Sequence, residues 1–150
     1  MKAEEILDAK IEEYLSFFTY LYPNILEWYK SRVIPDKENR FISLVSDTYG
    51  IRALVIADKK EGKLCHLSVD PVIRHSGIGS GLYITAIETL RRCGHITVFT
   101  ECSLHTLLSF IPMTLKHDHY WTALGLKPAQ SRDLKYGHDI VLQLKLEDSE

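Results

Sequence analysis

Apolar residues recur every three or four positions through residues 3–22, with acidic residues on the opposite side of the helix that this spacing describes. A second stripe with the same spacing covers residues 25–33, after Pro23 and before Pro35. The pattern predicts an N-terminal hairpin of two amphipathic helices. It predicts no strand ahead of Ala3.

Shorter apolar runs follow the hairpin. Residues 41–45 and 51–57 are predicted strands, separated by turn residues. A third run, from Lys63 to Val69, ends at Asp70-Pro71, because proline has no amide to donate to a neighbouring strand. The three runs predict an antiparallel meander whose last strand is buried.

A glycine loop and a long helix come directly after that strand. Gly77 and Gly79 lie in the loop, apolar residues then recur at helical spacing from Ile78 to Leu90, and Gly94 ends the run. The next run, residues 96–100, is short, rich in β-branched residues and follows a helix, so it is predicted to lie parallel to the third run in a right-handed crossover.

The start of this helix is a predicted phosphate site. The first amides of a helix have no acceptor within it, and the aligned peptide dipoles make that end positive. Gly77 and Gly79 have no side chain to keep a diphosphate away. The spacing does not fit the dinucleotide fingerprint, which needs a glycine where Leu82 stands, or the P-loop, which needs lysine after its last glycine.

Arg74-x-x-Gly77-x-Gly79 resembles the acyl-CoA loop of the GNAT N-acetyltransferase superfamily. The resemblance implies one α/β (α+β) domain over residues 1–150, with a mixed, mostly antiparallel sheet, a central splayed pair of parallel strands and helices on both faces. It implies acetyl-CoA as cosubstrate, with its pantetheine arm in the gap between the splayed strands. The cofactor-binding residues that it implies are Leu67, Ser68, Val69, Arg74, His75, Ser76, Gly77, Ile78, Gly79 and Ser80.

The same resemblance implies an N-acetyltransferase in which a primary amine attacks the thioester directly. A backbone amide around Val69 would stabilise the oxyanion, and a tyrosine would protonate the departing thiolate. Aligning the closing motif of the family on Gly125 puts Trp121 at the place of that tyrosine, with Tyr120 one residue earlier. Tyr120 is the predicted acid, and the offset predicts that Tyr120 points into the core while Trp121 faces the cofactor.

The amine must lose a proton before it attacks. An unperturbed lysine-like amine has a pKa of about 10.4, so deprotonating it at pH 7 costs about 4 to 5 kcal/mol. Glu101, at the open end of its strand, is the predicted base, and His66 is a second candidate. A solvated strand-end charge is the other interpretation of Glu101. His117 and His119 have no third ligand at a convincing distance, so we expect no metal.

The acceptor is open among a small polyamine-like amine, a protein amine and the amino group of aminoacyl-tRNA. Tyr22, Trp28 and Tyr29 either contact it or form aromatic core. The 18 basic and 20 acidic residues give a formal charge of −2, which provides no general attraction for nucleic acid or anionic membrane. The displaced tyrosine motivates a second hypothesis, a non-catalytic acyl-CoA-binding sensor or regulatory module.

Two features bear on the compartment. The three cysteines form no disulfide framework, and no apolar run approaches membrane-spanning length. The first residues are acidic where a signal peptide has its apolar stretch. We therefore expect a cytoplasmic protein.

The region after Ser103 departs most from the family pattern. Residues 104–116 form an apolar stretch that Pro112 is predicted to break, either as an acceptor lid or as a second short helix packed on the sheet. Strands from Leu126 to Ala129 and from Asp139 to Leu146 are predicted to close the sheet as a hairpin.

Overall fold

Six strands form one sheet in the computed structural model of the chain, which describes residues 2–73, 76–126 and 140–146, apart from the side chains at positions 104, 105 and 126. Arg74 and His75 of the predicted cofactor loop lie outside the described residues. The strands follow the spatial order β1-β2-β3-β4-β6-β5. They are β1 (Arg40–Asp47), β2 (Gly50–Asp58), β3 (Lys63–Val69), β4 (Thr97–Cys102), β5 (Thr122–Leu126) and β6 (Ile140–Lys145).

In the part of the chain that the structure describes, four α-helices accompany the sheet, and they are α1 (Ala3–Ser16), α2 (Ile25–Trp28), α3 (Ile78–Arg92) and α4 (Leu104–Leu115). A π-helical turn, Tyr29–Val33, continues α2. The predicted first helix was too long, because the chain after Ser16 tightens into turns in which the Phe18 amide bonds the Leu15 carbonyl at 2.9 Å. The helical hairpin itself is confirmed.

The helices divide the sheet into two faces. Leu54 and Ile56 of β2 pack against Ile11 and Leu15 of α1 on what we call the α1/α2 face. Their neighbours on β2, Val55 among them, point the other way, because successive side chains of a strand alternate. We call this opposite side of the sheet the α3/α4 face. Its core residues include Ala53, Val55, Leu82, Tyr83, Ile87, Leu90, Val98, Phe110 and Leu144.

The parallel strands β3 and β4 pair over a short distance and then separate. Lys63 pairs with Phe99 and Leu64 with Thr100, and the described residues give no further pair between these two strands. The remaining ladders of the sheet are antiparallel. The gap that opens towards Val69, which we call the fork, confirms the predicted splayed pair and the mixed, mostly antiparallel sheet.

The region after β4 differs from the prediction in two respects. Pro112 does not break α4, which begins at the N-cap Ser103 and continues through the proline to Leu115. Phe110 packs on the α3/α4 face, so the stretch is a helix packed on the sheet. The closing hairpin is present, but its first strand begins at Thr122, earlier than expected, because its ladder with β6 starts at the pair Thr122 and Gln143. Residues 127–139 of the predicted hairpin lie outside the described residues.

Candidate functional site

Two glycines build the turn from β3 into α3, each for a different reason. Gly77 is the N-cap of α3 and has a φ of 85°, in the left-handed region that residues with a Cβ atom rarely adopt. Gly79 packs so closely on β3 that an added Cβ would lie 2.9 Å from Val69 Cγ2. The turn therefore needs glycine for its backbone at the first position and for its packing at the second.

The first turn of α3 points its amides past the end of β3. The Gly81 amide donates to the Gly77 carbonyl at 3.0 Å and begins the helical ladder, so the amides of Ile78, Gly79 and Ser80 precede it. Ser80 Oγ bonds His117 Nε2 from the loop after α4. This positive helix end lies where β3 and β4 have already separated.

Strand β3 turns one of its amides towards the fork. The Asp70 amide donates to the Arg52 carbonyl at 2.7 Å, which makes these two residues a hydrogen-bonded pair of the antiparallel ladder. Such pairs alternate with pairs that exchange no hydrogen bond, so Val69, opposite Ala53, belongs to the second kind. The amide of Val69 is therefore directed away from β2, towards β4.

Asp70 fixes the exit of β3. Its Oδ1 accepts the Val72 amide at 2.9 Å and its Oδ2 accepts Arg52 Nη1 at 2.7 Å. The backbone amide and then the guanidinium hold the pKa of Asp70 below its usual range. The approach to the glycine loop is thus tied to β2.

The α1/α2 face of β3 carries a chain of buried polar side chains. Ser68 Oγ lies 2.8 Å from His66 Nε2 and 2.8 Å from the hydroxyl of Tyr14 on α1. Ser68 was predicted to bind the cofactor, yet its side chain faces α1, opposite to those of Leu67 and Val69. Sequence reasoning missed this chain, although His66 and Ser68, two residues apart on one strand, had to share a face.

Aromatic side chains surround His66. The rings of Tyr22 and Trp28 each have their centroid 6.4 Å from that of His66, and the Tyr22 hydroxyl lies 2.8 Å from Thr106 Oγ1 of α4. Both rings therefore lie beside the polar chain. Tyr29 is core instead, because it is fully buried and donates its hydroxyl proton to Asp8 at 2.6 Å.

The comparisons with known proteins concern the fold. No protein-family model matches the chain, and no curated protein matches it. The crystal structure of an aminoglycoside 6'-acetyltransferase type Ii matches with a TM-score of 0.69 at 14% identity, over 99% of this chain and 95% of that one. An aminoglycoside 6'-N-acetyltransferase complexed with coenzyme A gives 0.65 at 14% identity, over 97% and 93%. An acetyltransferase of the GNAT family from Staphylococcus aureus Mu50 gives 0.65 at 12% identity, over 98% and 96%.

This chain has the GNAT fold. The matches cover more than nine-tenths of both chains, so they extend over the whole sheet and its helices and not over one part of the fold. The predicted fold class and the resemblance to the superfamily are therefore confirmed.

Glu101 lies on the α1/α2 face of this GNAT fold. Its Oε2 lies 2.9 Å from Lys63 Nζ, and the two side chains retain only 13% and 19% of their accessible surface. Lys63 pairs with Phe99 at the narrow end of the fork. The Glu101 carboxylate is therefore one partner of a largely buried ion pair. It is not the solvated strand-end charge of the second sequence-based interpretation.

The structure does not bring Tyr120 together with Glu101. Tyr120 is 67% exposed and lines a cavity of about 570 Å³ with Arg91 and Lys145. Lys145 pairs with Thr97 at the start of β4, whereas Glu101 is four residues further along that strand, about 13 Å at 3.3 Å per residue. The expected orientations are also reversed, because the half-buried Trp121 faces the core and donates from Nε1 to the Tyr83 hydroxyl at 2.9 Å.

The end of α4 explains where Tyr120 lies. Asp118 has a left-handed φ of 57°, its amide donates to the Leu115 carbonyl at 3.1 Å, and the His119 amide donates to the Thr114 carbonyl at 3.2 Å. This hydrogen-bond pair is a Schellman motif, which reverses the chain after a helix. Tyr120 therefore lies beyond the end of α4, whereas the closing motif of the family would have placed it in the last turn of a helix.

His119, a partly buried histidine beside α3, shares a hydrogen bond with the buried Tyr83. The Tyr83 hydroxyl lies 2.7 Å from His119 Nδ1. Burial, and then the nearby His117 and Arg91, lower the pKa of His119 below its usual range. Burial also raises the pKa of the Tyr83 phenol.

The described residues show neither a metal cluster nor a membrane-spanning helix. Among residues 2–73, 76–126 and 140–146, no group of three or more His, Cys, Asp or Glu side chains is arranged to hold a metal ion. None of the helices in these ranges combines the length and apolar character that crossing a bilayer requires.

Proposed function

We propose that this chain is an acyl-CoA-dependent N-acetyltransferase that transfers the acetyl group of acetyl-CoA to a primary amine by direct attack on the thioester. The proposal rests on two features that lie side by side at one end of β3. There the glycine-capped N-terminus of α3 stands beside the open fork between β3 and β4. The GNAT fold supports the same conclusion.

The residues at the fork fit a CoA thioester. The absence of a side chain at Gly77 leaves the first-turn amides of α3 accessible to a diphosphate, and Gly79 lets this turn pack closely on the end of β3. Ser80, which bonds His117, adds a hydroxyl. The edge of β3 at Leu67 to Val69 offers backbone groups to an extended pantetheine arm, as an added strand would use them. Bound acetyl-CoA would supply an activated acetyl group. The Val69 amide would donate to the oxygen on which negative charge develops.

The acceptor amine enters from the α1/α2 face in this proposal. Tyr22 and Trp28 line that side, and Glu101 with its partner Lys63 stands at the narrow end of the fork. Tyr120 serves as the acid only if its loop approaches the fork. A small amine, a protein amine and the amino group of aminoacyl-tRNA all remain acceptors to be tested.

Calorimetric titration with CoA tests the cofactor site. Gly77 and Gly94 stand at opposite ends of α3, both have positive φ, and an added Cβ would meet nothing within 4 Å at either. Gly77→Asp and Gly94→Asp therefore impose similar backbone strain, but only the first puts a carboxylate beside the diphosphate. We expect Gly77→Asp to abolish CoA binding and Gly94→Asp to retain it. Equal affinities in the two variants would overturn the loop assignment.

Turnover is tested with radiolabelled acetyl-CoA and fractionated cell extract. Label that enters small molecules, protein or RNA, and that depends on the chain, establishes the transferase and identifies its acceptor class. CoA binding with no label in any fraction would contradict the transferase and favour the sensor. The Gly77→Asp variant is the control in each fraction.

A further inference from the structure

We propose that Ser68 and His66 form a proton-accepting pair for the acceptor amine, that Tyr14 orients this pair, and that His66 holds the transferred proton. The inference rests on the proposed transferase function. It adds a residue chain that the family resemblance did not supply.

The geometry links three elements of the α1/α2 face. Ser68 Oγ stands between two partners, His66 Nε2 and the Tyr14 hydroxyl, each at 2.8 Å. His66 and Ser68 retain 7% and 8% of their accessible surface, and Tyr14 likewise 7%. The three groups are therefore screened from bulk water but connected to one another.

The setting of the chain is apolar. In the β2–β3 ladder Ser68 lies opposite Leu54 and His66 opposite Ile56, and both partners are essentially fully buried. Burying polar groups among such apolar side chains costs free energy unless the polar groups form hydrogen bonds with one another, as these do. Hydrophobic residues at the same two positions would continue the packing of β2, so filling the core does not require this chain.

The chain has a direction in which a proton can move. When His66 is neutral with its proton on Nδ1, Nε2 accepts from Ser68 Oγ, and Ser68 Oγ accepts from the Tyr14 hydroxyl. A second lone pair of Ser68 Oγ then accepts a proton from the ammonium of the acceptor while the serine proton passes to His66 Nε2. The ammonium becomes an amine, His66 becomes imidazolium and Ser68 is unchanged. The amine then forms the N–C bond as the C–S bond breaks, the thiolate leaves with the electron pair of the C–S bond, and the second proton that the nitrogen loses passes to this thiolate, which departs as the CoA thiol.

His66 suits this role better than the nearby carboxylate. Protonating Glu101 would remove the partner of Lys63, whose ammonium is largely buried. Among the groups that face His66 are the phenol of Tyr22 from the α1–α2 turn and the hydroxyl of Ser68, which in turn bonds Tyr14 of α1. The indole of Trp28 of α2 also lies beside His66, and it does not titrate.

The pH dependence of turnover, measured beside CoA titration, tests the chain. We expect wild-type kcat to fall on acidification as imidazole protonates. His66→Gln should lower kcat at pH 7 by about 100-fold or more and remove this acidic limb, with CoA affinity unchanged. Ser68→Ala should behave like His66→Gln, whereas Ser68→Thr keeps the hydroxyl and the limb. Tyr14→Phe should give a smaller loss with the limb retained.

The outcomes separate the two proposals. If wild type binds CoA and turns over, but His66→Gln keeps both kcat and the acidic limb, the proton chain is wrong and the transferase stands. If the variants lose kcat at every pH with the limb intact, their role is structural and the chain is likewise overturned. If wild type shows no turnover with any acceptor, the proposed function fails and the chain fails with it.

Discussion

On the α3/α4 face of β3, Leu67 and Val69 pack against an apolar core, whereas on the α1/α2 face the same strand presents His66 and Ser68 in a hydrogen-bonded chain. Adjacent residues thus meet opposite environments, since strand side chains alternate. Val69 contacts Gly79 of the cofactor turn, and Ser68 contacts Tyr14. In the proposed function this strand separates two sides, which we call the cofactor side and the acceptor side.

The two faces also differ in what stabilises them. The α3/α4 face depends on close apolar packing, and the α1/α2 face adds a buried ion pair in which Arg40 Nη1 lies 2.8 Å from Asp8 Oδ1. Tyr29 donates to the same carboxylate, and burial raises the pKa of this phenol. We therefore expect substitutions on the two faces to act through different mechanisms.

The largest expected effect is on the α1/α2 face. Arg40→Met leaves the Asp8 carboxylate buried without its cation, and it should lower the free energy of unfolding by about 3 to 5 kcal/mol. Lys37→Met is the matched control, since Lys37 pairs with Glu4 of the same helix but both side chains are half exposed. That change should cost no more than about 1 kcal/mol. Similar losses in urea denaturation would show that burial does not govern these pairs.

The next effect is on the α3/α4 face. Gly79→Ala places a methyl group 2.9 Å from Val69 Cγ2 and should lower the free energy of unfolding by about 1 to 3 kcal/mol. Gly81→Ala is the matched control, two residues further along α3. Its methyl group would have no neighbour within 4 Å, so this change should stabilise the helix by up to about 1 kcal/mol. Adding Val69→Ala to Gly79→Ala should recover part of the loss. No recovery in the double variant would argue against this contact.

Much of this cofactor side was predictable from local sequence. Asp70-Pro71 ends β3 where expected, and Gly77 begins α3, because a missing amide and a left-handed backbone act on the residues themselves. The polar chain on the acceptor side was not predictable in this way. The bond between Tyr14 and Ser68 joins residues 54 positions apart, so it depends on how α1 packs on the sheet. The place of Tyr120 likewise depends on a left-handed turn at Asp118, a position without glycine.

A smaller effect concerns pH and the α3/α4 face. Because the folded pKa of His119 lies below its unfolded value of about 6.5, the unfolded chain binds the proton more readily as pH falls. The stabilisation is complete above pH 6.5 and declines below it. We expect the melting temperature to fall by a few degrees between pH 7.5 and 5.5, and less in His119→Asn, which keeps an acceptor near Nδ1. An identical fall in both proteins would contradict the assignment.

The smallest effect is a difference in reactivity among the three cysteine thiols, which involves no change in stability. Burial raises the pKa of Cys65 to about 12, and Cys102 is buried, whereas Cys93 is exposed. Iodoacetamide at pH 8 should therefore modify Cys93 first, because the thiolate is the reactive form. Peptide mass mapping measures this order. Early modification of Cys65 would show that the α1/α2 face opens readily.

A crystal structure of the chain grown with CoA is the most direct test of the division that β3 makes. We expect the diphosphate on the amides of Ile78 to Ser80, the pantetheine arm along β3 at the fork, and its thiol beside Val69, with the Tyr14, Ser68 and His66 chain intact across the strand. CoA bound in the cavity beside Arg91 and Tyr120, or lying across the α1/α2 face, would contradict the assignment of one side to the cofactor and the other to the acceptor.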